Sequence, residues 1–264
     1  MRVIERQVLK IIYNAKAVQT KELINIFVKR GYQEMTIRNL LSFLKSEKLI
    51  TSPQRGIYNI TSSGKGYVNT LRNKKNNYVF DGHFLFIIIK IPETQRRQKD
   101  KFKKVLCAYG FGRLSSDIYI SPYKRANDIR NVATNMKLIN YLRFIDGVFI
   151  GNKLTECEIK EVWRLDKVKE LYCKIHKEFN DINKTYTGNL SSEELFNLYL
   201  DYEELINRIL SFDPFLPSDL LPNNWHYQDL FQNIISNYHD VRERLRDTNY
   251  QKFIEKTNFI EGEF

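Results

Sequence analysis

Apolar residues in the first quarter of the chain recur at helical spacing in three successive segments. The pattern predicts helices over residues 4–14, 21–30 and 36–48. Thr20 is predicted to cap the second helix and Gly31 to end it. The third helix has one apolar stripe at i, i+3, i+4 and i+7, formed by Ile37, Leu40, Leu41 and Leu44. We therefore expect three short helices around one small core.

A β-hairpin is predicted directly after the third helix, with a turn over residues 53–56. The outward face of that helix is polar and cationic and contains no acid; it carries Arg38, Asn39, Ser42, Lys45 and Ser46. Such side chains suit base edges and phosphates, and Arg55 at the hairpin tip suits a phosphate or the minor groove. The pattern predicts a winged helix-turn-helix that binds DNA. A polar face that is simply solvated is the alternative.

Charge is distributed unevenly along the chain. Residues 1–75 carry 15 Lys and Arg against 4 Asp and Glu, a net charge of +11 that equals the charge of the whole chain. Residues 76–160 carry 15 against 8, and residues 161–264 carry 12 against 19. A basic segment favours a polyanionic partner. The charge therefore supports DNA binding by the first segment.

The middle of the chain alternates short apolar runs with helical patterns. Residues 84–89 form a continuous apolar run, as expected for a strand buried on both faces. Helices are predicted at 94–109 and 125–136, further strands at 111–114 and 118–122, and a last strand pair within 140–150 that turns near Asp146-Gly147. The order β-α-β-β-α-β is that of a ferredoxin-like domain.

The last part of the chain is predicted to be helical from about Glu158. One apolar stripe runs over residues 163–179, and Ser191 with Glu194 forms a capping box for a helix reaching Phe212. The fold class is therefore α+β with three domains. They are a winged-helix domain at 1–76, a ferredoxin-like domain at 77–157 and a helical domain at 158–264.

Short motifs in the middle and C-terminal segments resemble those of the PaaX family of bacterial transcriptional repressors. They are Ile91-Pro92-Glu93, Gly110-Phe111-Gly112 and Ser121-Pro122, followed by Asp213-Pro214, Leu216-Pro217, Leu221-Pro222 and Trp225. The resemblance implies the same three domains and a homodimeric repressor that binds a double-stranded DNA operator. It also implies release by a small effector, an acyl-coenzyme A, which is phenylacetyl-coenzyme A in the founding members.

Two positions depart from the family's pattern. Arg38-Asn39-Leu40 stands where the third helix usually has an Arg-Ala-Ala-like stretch, and His226-Tyr227 stands where Gly usually follows the C-terminal Trp. The resemblance therefore does not fix the operator sequence or the effector of this chain.

Three residues are candidates for ligand binding. Trp225 and His226 follow a proline-rich segment (residues 214–222) and are placed to line an effector pocket. Core packing is the alternative for Trp225. Arg113, beside Gly110 and Gly112, is placed to hold a phosphate, with a plain strand start as the alternative. The basic helix over residues 96–104 suits phosphate contacts or a solvated face equally well.

Other classes of function find less support. Cys107, Cys157 and Cys173 lack metal spacing and a pairing pattern, which predicts buried thiols, a reducing cytoplasm and no metal or cofactor. No apolar run reaches the roughly 18 residues that a membrane span needs. A ferredoxin-like nuclease would need a carboxylate where the first strand ends, and none occurs before Glu93, so no enzyme is expected. A regulator controlled by a protein partner through its acidic helical end stays as an alternative.

Overall fold

The computed structural model describes residues 3–70 and 80–255. Among these, one compact unit (unit 1) contains residues 3–70, 175–208 and 229–255, and a second (unit 2) contains residues 80–174 and 209–228. Helices and two small antiparallel sheets build these units, so the predicted α+β class is confirmed. Residues 73–77 are polar, which predicts a linker, and they lie outside the described residues.

The N-terminal part of unit 1 has the three predicted helices and the predicted hairpin. Its elements are α1 (Val3–Ala15), β1 (Ala17–Gln19), α2 (Thr20–Lys29), α3 (Glu34–Ser46), β2 (Ile50–Gln54), β3 (Ile57–Ile60) and α4 (Ser62–Thr70). The helices form because their periodic apolar residues bury one face of each helix, as Leu23, Phe27 and Leu44 show by complete burial. Gly31 ends α2 with a φ of +85°, as predicted.

Strand β1 was not expected from the sequence. It pairs antiparallel with β3, giving a three-stranded sheet in the order β1-β3-β2. The prediction that Thr20 caps α2 is wrong, because both its amide and its hydroxyl donate to the carbonyl of Gly56, at 2.8 and 3.1 Å. Gln19 stands at the N-cap instead, and its amide donates to the carboxylate of Glu22 at 2.9 Å.

Unit 2 is built on a four-stranded sheet. Its elements are β4 (Phe84–Ile89), α5 (Arg96–Ala108), β5 (Gly112–Arg113), β6 (Ile118–Ser121), α6 (Ala126–Asn135) and β7 (Leu142–Gly147). The strands are antiparallel in the order β5-β6-β4-β7. The predicted last strand pair is wrong. Residues 142–147 form one strand because Asp146 and Gly147, the supposed turn, still pair with Leu85 and Phe84.

Both faces of this sheet are covered, which explains the continuous apolar run in β4. Leu85 and Ile87 lie on the face that packs against α5 and α6. Phe84 lies on the other face, with Trp163 of α7 (Glu156–Trp163) and Leu216 of the proline-rich segment. A strand with one solvated face would instead alternate apolar and polar residues.

Two of the family-like motifs, Gly110-Phe111-Gly112 and Asp213-Pro214, lie beside each other near this second face. The indole nitrogen of Trp163 donates to the carbonyl of Gly110 at 3.1 Å. A Cβ on Gly110 would lie 3.1 Å from the carbonyl oxygen of Pro214, and Gly110 has a φ of +84°. A Cβ on Gly112 would lie only 2.4 Å from Val162. The Gly-Phe-Gly motif therefore lets α7 and the proline-rich segment approach the sheet closely.

We expect Gly112→Ala to lower the free energy of unfolding of unit 2 by about 1–3 kcal/mol, as overpacking of a filled core usually does. The added methyl would overlap Val162 and, at 2.7 Å, the indole of Trp163. Gly147→Ala is the matched control in the same sheet, because its Cβ would meet only atoms at 3.9 and 4.0 Å. Urea unfolding of both variants tests this. Equal stabilities would show that α7 moves enough to accommodate the methyl and would contradict the expectation.

The helical part of the chain contains α7, α8 (Leu165–Thr185), α9 (Ser192–Phe212) and α10 (Tyr227–Arg244). The capping box of Ser191 and Glu194 is confirmed, with the Ser191 amide donating to the Glu194 carboxylate at 2.8 Å. The single stripe predicted over residues 163–179 is interrupted, because Arg164 takes a left-handed φ of 53° between α7 and α8. A second capping box, Thr155 with Glu158, starts α7 and was missed.

The three cysteines differ from the sequence-based expectation. Cys107, Cys157 and Cys173 form no disulfide within the described part of the chain and all three are exposed, so their interpretation as buried small residues is wrong. Each lies on an outward position of a helix, which no spacing rule for cysteine reveals. Among the described residues, no helix is long and apolar enough to cross a membrane.

Candidate nucleic-acid interface

Helix α3 buries its apolar side completely and exposes its polar side to solvent. Its apolar stripe, Ile37, Leu40, Leu41 and Leu44, is at most 1% exposed. All five residues predicted to read DNA are exposed: Arg38, Asn39, Ser42, Lys45 and Ser46. The helix is thus fixed by its inner side while its outer side stays available to a partner.

The outer face of α3 contains an acid that the sequence interpretation overlooked. Helix α3 begins at Glu34, two residues before the predicted start, which brings the Glu34 carboxylate onto the first turn. Arg38 donates to this carboxylate from Nε at 2.8 Å and from Nη2 at 2.6 Å. The i,i+4 spacing of Glu34 and Arg38 would have revealed the pair. Since both side chains are about half exposed, the pair leaves Arg38 able to exchange its partner for a phosphate.

The polar groups of this face differ in what they offer. The Ser42 hydroxyl donates to the Arg38 carbonyl at 3.1 Å, and the Ser46 hydroxyl donates to the Phe43 carbonyl at 2.8 Å. These two hydroxyls therefore present acceptor lone pairs outward. In the described part of the chain, the amide of Asn39 and the ammonium of Lys45 make no hydrogen bond or ion pair. Both groups are available to a ligand.

The hairpin places Arg55 at its tip. The turn is two residues long, Arg55 and Gly56, rather than the four predicted, because Pro53 and Gln54 still belong to β2. Gly56 has a φ of +80° and its carbonyl receives both hydrogen bonds from Thr20. Arg55 is exposed. Its guanidinium therefore projects from a turn that is tied to the start of α2.

Ion pairs join α1 and the end of α2 to residues from the C-terminal part of unit 1. Arg30 at the end of α2 donates to the Asp201 carboxylate at 2.5 Å and to the Asn197 carbonyl at 3.1 Å. Lys10 of α1 lies 2.5 Å from Glu203 and 2.7 Å from Glu255. These contacts hold the N-terminal helices, and with them α3, in one compact body.

The three candidate ligand residues all lie in unit 2. Arg113 is exposed in β5 and its Nε donates to the Ser115 carbonyl at 3.2 Å. Trp225 is half-buried against the apolar residues on the second face of the sheet, which include Phe84 and Trp163. Its ring meets that of Tyr227 edge-on, with 5.0 Å between the ring centres. His226 is exposed. Among the described residues, no hydrogen bond or ring contact joins Arg113 to Trp225 or His226.

The basic start of α5 divides into two sets. Lys99 and Lys103 lie 3.0 and 3.3 Å from the carboxylate of Asp117, and hydrogen bonding from Lys99 lowers the pKa of Asp117. The remaining cations of this stretch are exposed and form no ion pair with a described residue; they are Arg96, Arg97, Lys101 and Lys104. In the described residues, no group of three or more His, Cys, Asp or Glu side chains is arranged to hold a metal ion.

Comparisons with known proteins match most of the chain. Residues 77–157 match the family model described as the PaaX protein central Cas2-like domain, and residues 163–257 match the PaaX-like protein C-terminal domain. The transcriptional repressor PaaX of Escherichia coli (strain K12) is 22% identical over an alignment 207 residues long, and the match covers 74% of this chain and 65% of that protein. The matched region thus spans just under two thirds of the relative's length.

A solved structure shares the fold over nearly the whole chain. It is the uncharacterized protein Rv0674 from Mycobacterium tuberculosis, with a TM-score of 0.57 and 16% sequence identity. The match covers 94% of this chain and 97% of the other. At this identity the likeness concerns the fold alone.

Proposed function

The chain belongs to the PaaX family of transcriptional repressors, and on this premise we propose that it represses transcription by binding a double-stranded DNA operator through α3. The observation that carries the proposal is the outward face of α3. It presents Arg38, Asn39 and Lys45 to solvent on a helix whose opposite side is completely buried. It lies in a segment with a net charge of +11. Cations neutralise phosphates and polar tips read base edges, so one face supplies both parts of DNA recognition.

The N-terminal segment is proposed to be a winged helix-turn-helix. Helices α2 and α3 are joined by a short turn, and the β2–β3 hairpin follows with β1 as a third strand. In such a domain the second helix of the pair enters the major groove. Helix α3 takes that place here, with Ser42 and Ser46 as further contacts to DNA. Arg55 at the hairpin tip reaches the adjoining phosphates or the minor groove.

The central segment is proposed to be ferredoxin-like. Its elements follow the order β-α-β-β-α-β, and its sheet has the edge-to-edge order second, third, first, fourth strand. The segments 1–76, 77–157 and 158–264 are proposed as DNA-binding, central and helical domains. Helical residues of the last segment belong partly to unit 1 and partly to unit 2. The helical segment therefore supports both of the others.

Repression is proposed to be relieved by an acyl-coenzyme A bound to a homodimer. Arg113, Trp225 and His226 are the proposed ligand contacts, with Arg113 directed to a phosphate group. An effector that binds better to the arrangement unsuited to the operator weakens DNA binding by the ratio of its two affinities. This function requires no catalysed reaction. The cytoplasm is the proposed location, since DNA lies there and three exposed cysteines that form no disulfide among the described residues suit a reducing compartment.

Fluorescence anisotropy of a labelled duplex from the region upstream of the chain's own gene tests this function. We expect tight binding that weakens steeply between 50 and 200 mM salt, as contacts to several phosphates require (about 10³-fold or more). Adding phenylacetyl-coenzyme A is expected to release the duplex, and free coenzyme A serves as the control. If neither compound releases the duplex, phenylacetyl-coenzyme A is not the effector. That result would favour control by a protein partner. Absence of binding would remove the repressor function.

A further inference from the structure

Met35 lies at the centre of the outward face of α3. Successive residues of an α-helix are about 100° apart, so Asn39, Ser42 and Ser46 all lie within about 40° of Met35. The buried residues occupy the opposite side of the helix; they are Ile37, Leu40, Leu41 and Leu44. The middle of the face therefore consists of one thioether, one amide and two hydroxyls.

The edges of this face are chemically different from each other. Arg38 and Lys45 lie about 60–80° to one side of Met35, and Phe43 lies about 80° to the other side. All three are exposed. Arg38 pairs with Glu34 on this same edge, and because both side chains are about half exposed it can exchange that partner for a phosphate. Cations along only this edge favour a polyanion whose backbone runs along it. With the phosphates there, the centre of the face is directed at the base edges of duplex DNA.

Met35 is unusual among the apolar residues of α3. It is 62% exposed, whereas the stripe on the inner side is at most 1% exposed. An exposed methionine contributes little to the core, because apolar stabilisation follows the area removed from water. In the second position of α3, Met35 lies in the part of a recognition helix that usually contacts base edges. An apolar group of the major groove is its natural partner.

The polar groups beside Met35 indicate which base pairs this face of α3 contacts. The hydroxyls of Ser42 and Ser46 have used their donors within the helix. Asn39 alone at the centre offers a donor and an acceptor together, which matches N7 and N6 of adenine. The apolar group that the major groove presents is the 5-methyl of thymine. Met35 and Asn39 are one helical turn apart, about 6 Å, which spans neighbouring base pairs.

We propose that Met35 contacts a thymine methyl while Asn39 binds an adenine, so that each operator half-site contains A·T pairs beneath the first two turns of α3. This inference rests on the proposed DNA-binding function and specifies the bases that the function reads. Phe43, at the edge of the face, makes no methyl-dependent contact.

The test replaces single thymines by deoxyuridine, which lacks the methyl, in a duplex that the full chain enriches from a random library. At one thymine, deoxyuridine is expected to weaken binding of the unaltered chain about fourfold, the effect of one buried methyl-sized group. Met35→Ala is expected to bind both duplexes equally. Phe43→Ala, which also removes an exposed apolar side chain from α3, and Met35→Leu are expected to keep the difference. Asn39→Ala is expected to lose the preference for A·T over G·C at a neighbouring pair.

The outcomes separate this inference from the function on which it rests. If the folded chain enriches no duplex, DNA recognition itself fails. If it enriches a duplex but every deoxyuridine is tolerated, the contact between Met35 and thymine is wrong and the repressor function stands. The same conclusion follows if Met35→Ala remains sensitive to the missing methyl. Circular dichroism of each variant shows whether α3 is kept.

Discussion

Replacing Lys10 by Met is expected to lower the free energy of unfolding by about 3–5 kcal/mol, as loss of one partner from a buried ion pair does. The Lys10 ammonium lies between the carboxylates of Glu203 and Glu255, at 2.5 and 2.7 Å. Both carboxylate side chains are 3% exposed and that of Lys10 is 13% exposed. The variant would leave two carboxylates in the interior of unit 1 without their shared cation.

The destabilisation is expected to shrink as the pH falls. Burial raises the pKa of Glu203 above its ordinary value, although Lys10 opposes this shift. Burial alone would lower the pKa of Lys10, but the two carboxylates outweigh it and raise that pKa. Without Lys10, Glu203 binds a proton more readily in the folded than in the unfolded state. Folding of the variant therefore gains stability, relative to the unaltered chain, as the pH falls from 7 towards 4.5.

Urea unfolding at pH 7 and pH 5 measures both effects. The matched control is Lys29→Met, which breaks the exposed ion pair of Lys29 with Glu193 in the same unit. Lys29→Met is expected to have the same free energy of unfolding as the unaltered chain, because solvent screens exposed ion pairs. If Lys10→Met were as stable as the control at pH 7, the three charges would not be held together as described.

Removing both cations from the edge of α3, by Arg38→Ala with Lys45→Ala, is expected to weaken binding to an enriched duplex about 10- to 100-fold. Two lost phosphate contacts should also reduce the slope of log affinity against log salt by about 2. Stability should change little, since both side chains are exposed and, within residues 3–70 and 80–255, Arg38 pairs only with the exposed Glu34. The double variant therefore separates binding from folding.

A second double variant controls for net charge. Lys169→Ala with Lys177→Ala removes the same two charges from exposed positions of α8. Anisotropy titrations of both variants over a range of salt concentrations provide the comparison. If the α8 variant lost as much affinity as the α3 variant, attraction would depend on total charge alone, and α3 would have no special role.

Local patterns in the sequence were enough to predict most helices and strands. The stripe of Ile37, Leu40, Leu41 and Leu44 predicted which side of α3 is buried, and the apolar run of β4 predicted a strand covered on both faces. The periodicity of apolar residues reports burial directly, so these features follow from the sequence. All six residues predicted to bind DNA are exposed in unit 1.

Features that depend on distant partners could not be predicted in this way. Strand β1 is three residues long and exists through pairing with β3, about 40 residues later in the chain. The local sequence favours Thr20 as the cap of α2. Its hydroxyl donates to the Gly56 carbonyl instead, because the hairpin turn lies beside it. The close approach of Gly112 to Val162 follows from packing between separate segments. In each case, a long-range contact prevails over a local preference.

Selection of bound duplexes from a random DNA library by the full chain tests the central claim most directly. A homodimer that reads DNA through α3 predicts one enriched motif with two symmetric half-sites about 10 base pairs apart, centre to centre. The same selection with Arg38→Ala and Lys45→Ala should lose that motif. If the folded chain returns the library without enrichment, the chain is not a sequence-specific DNA-binding protein.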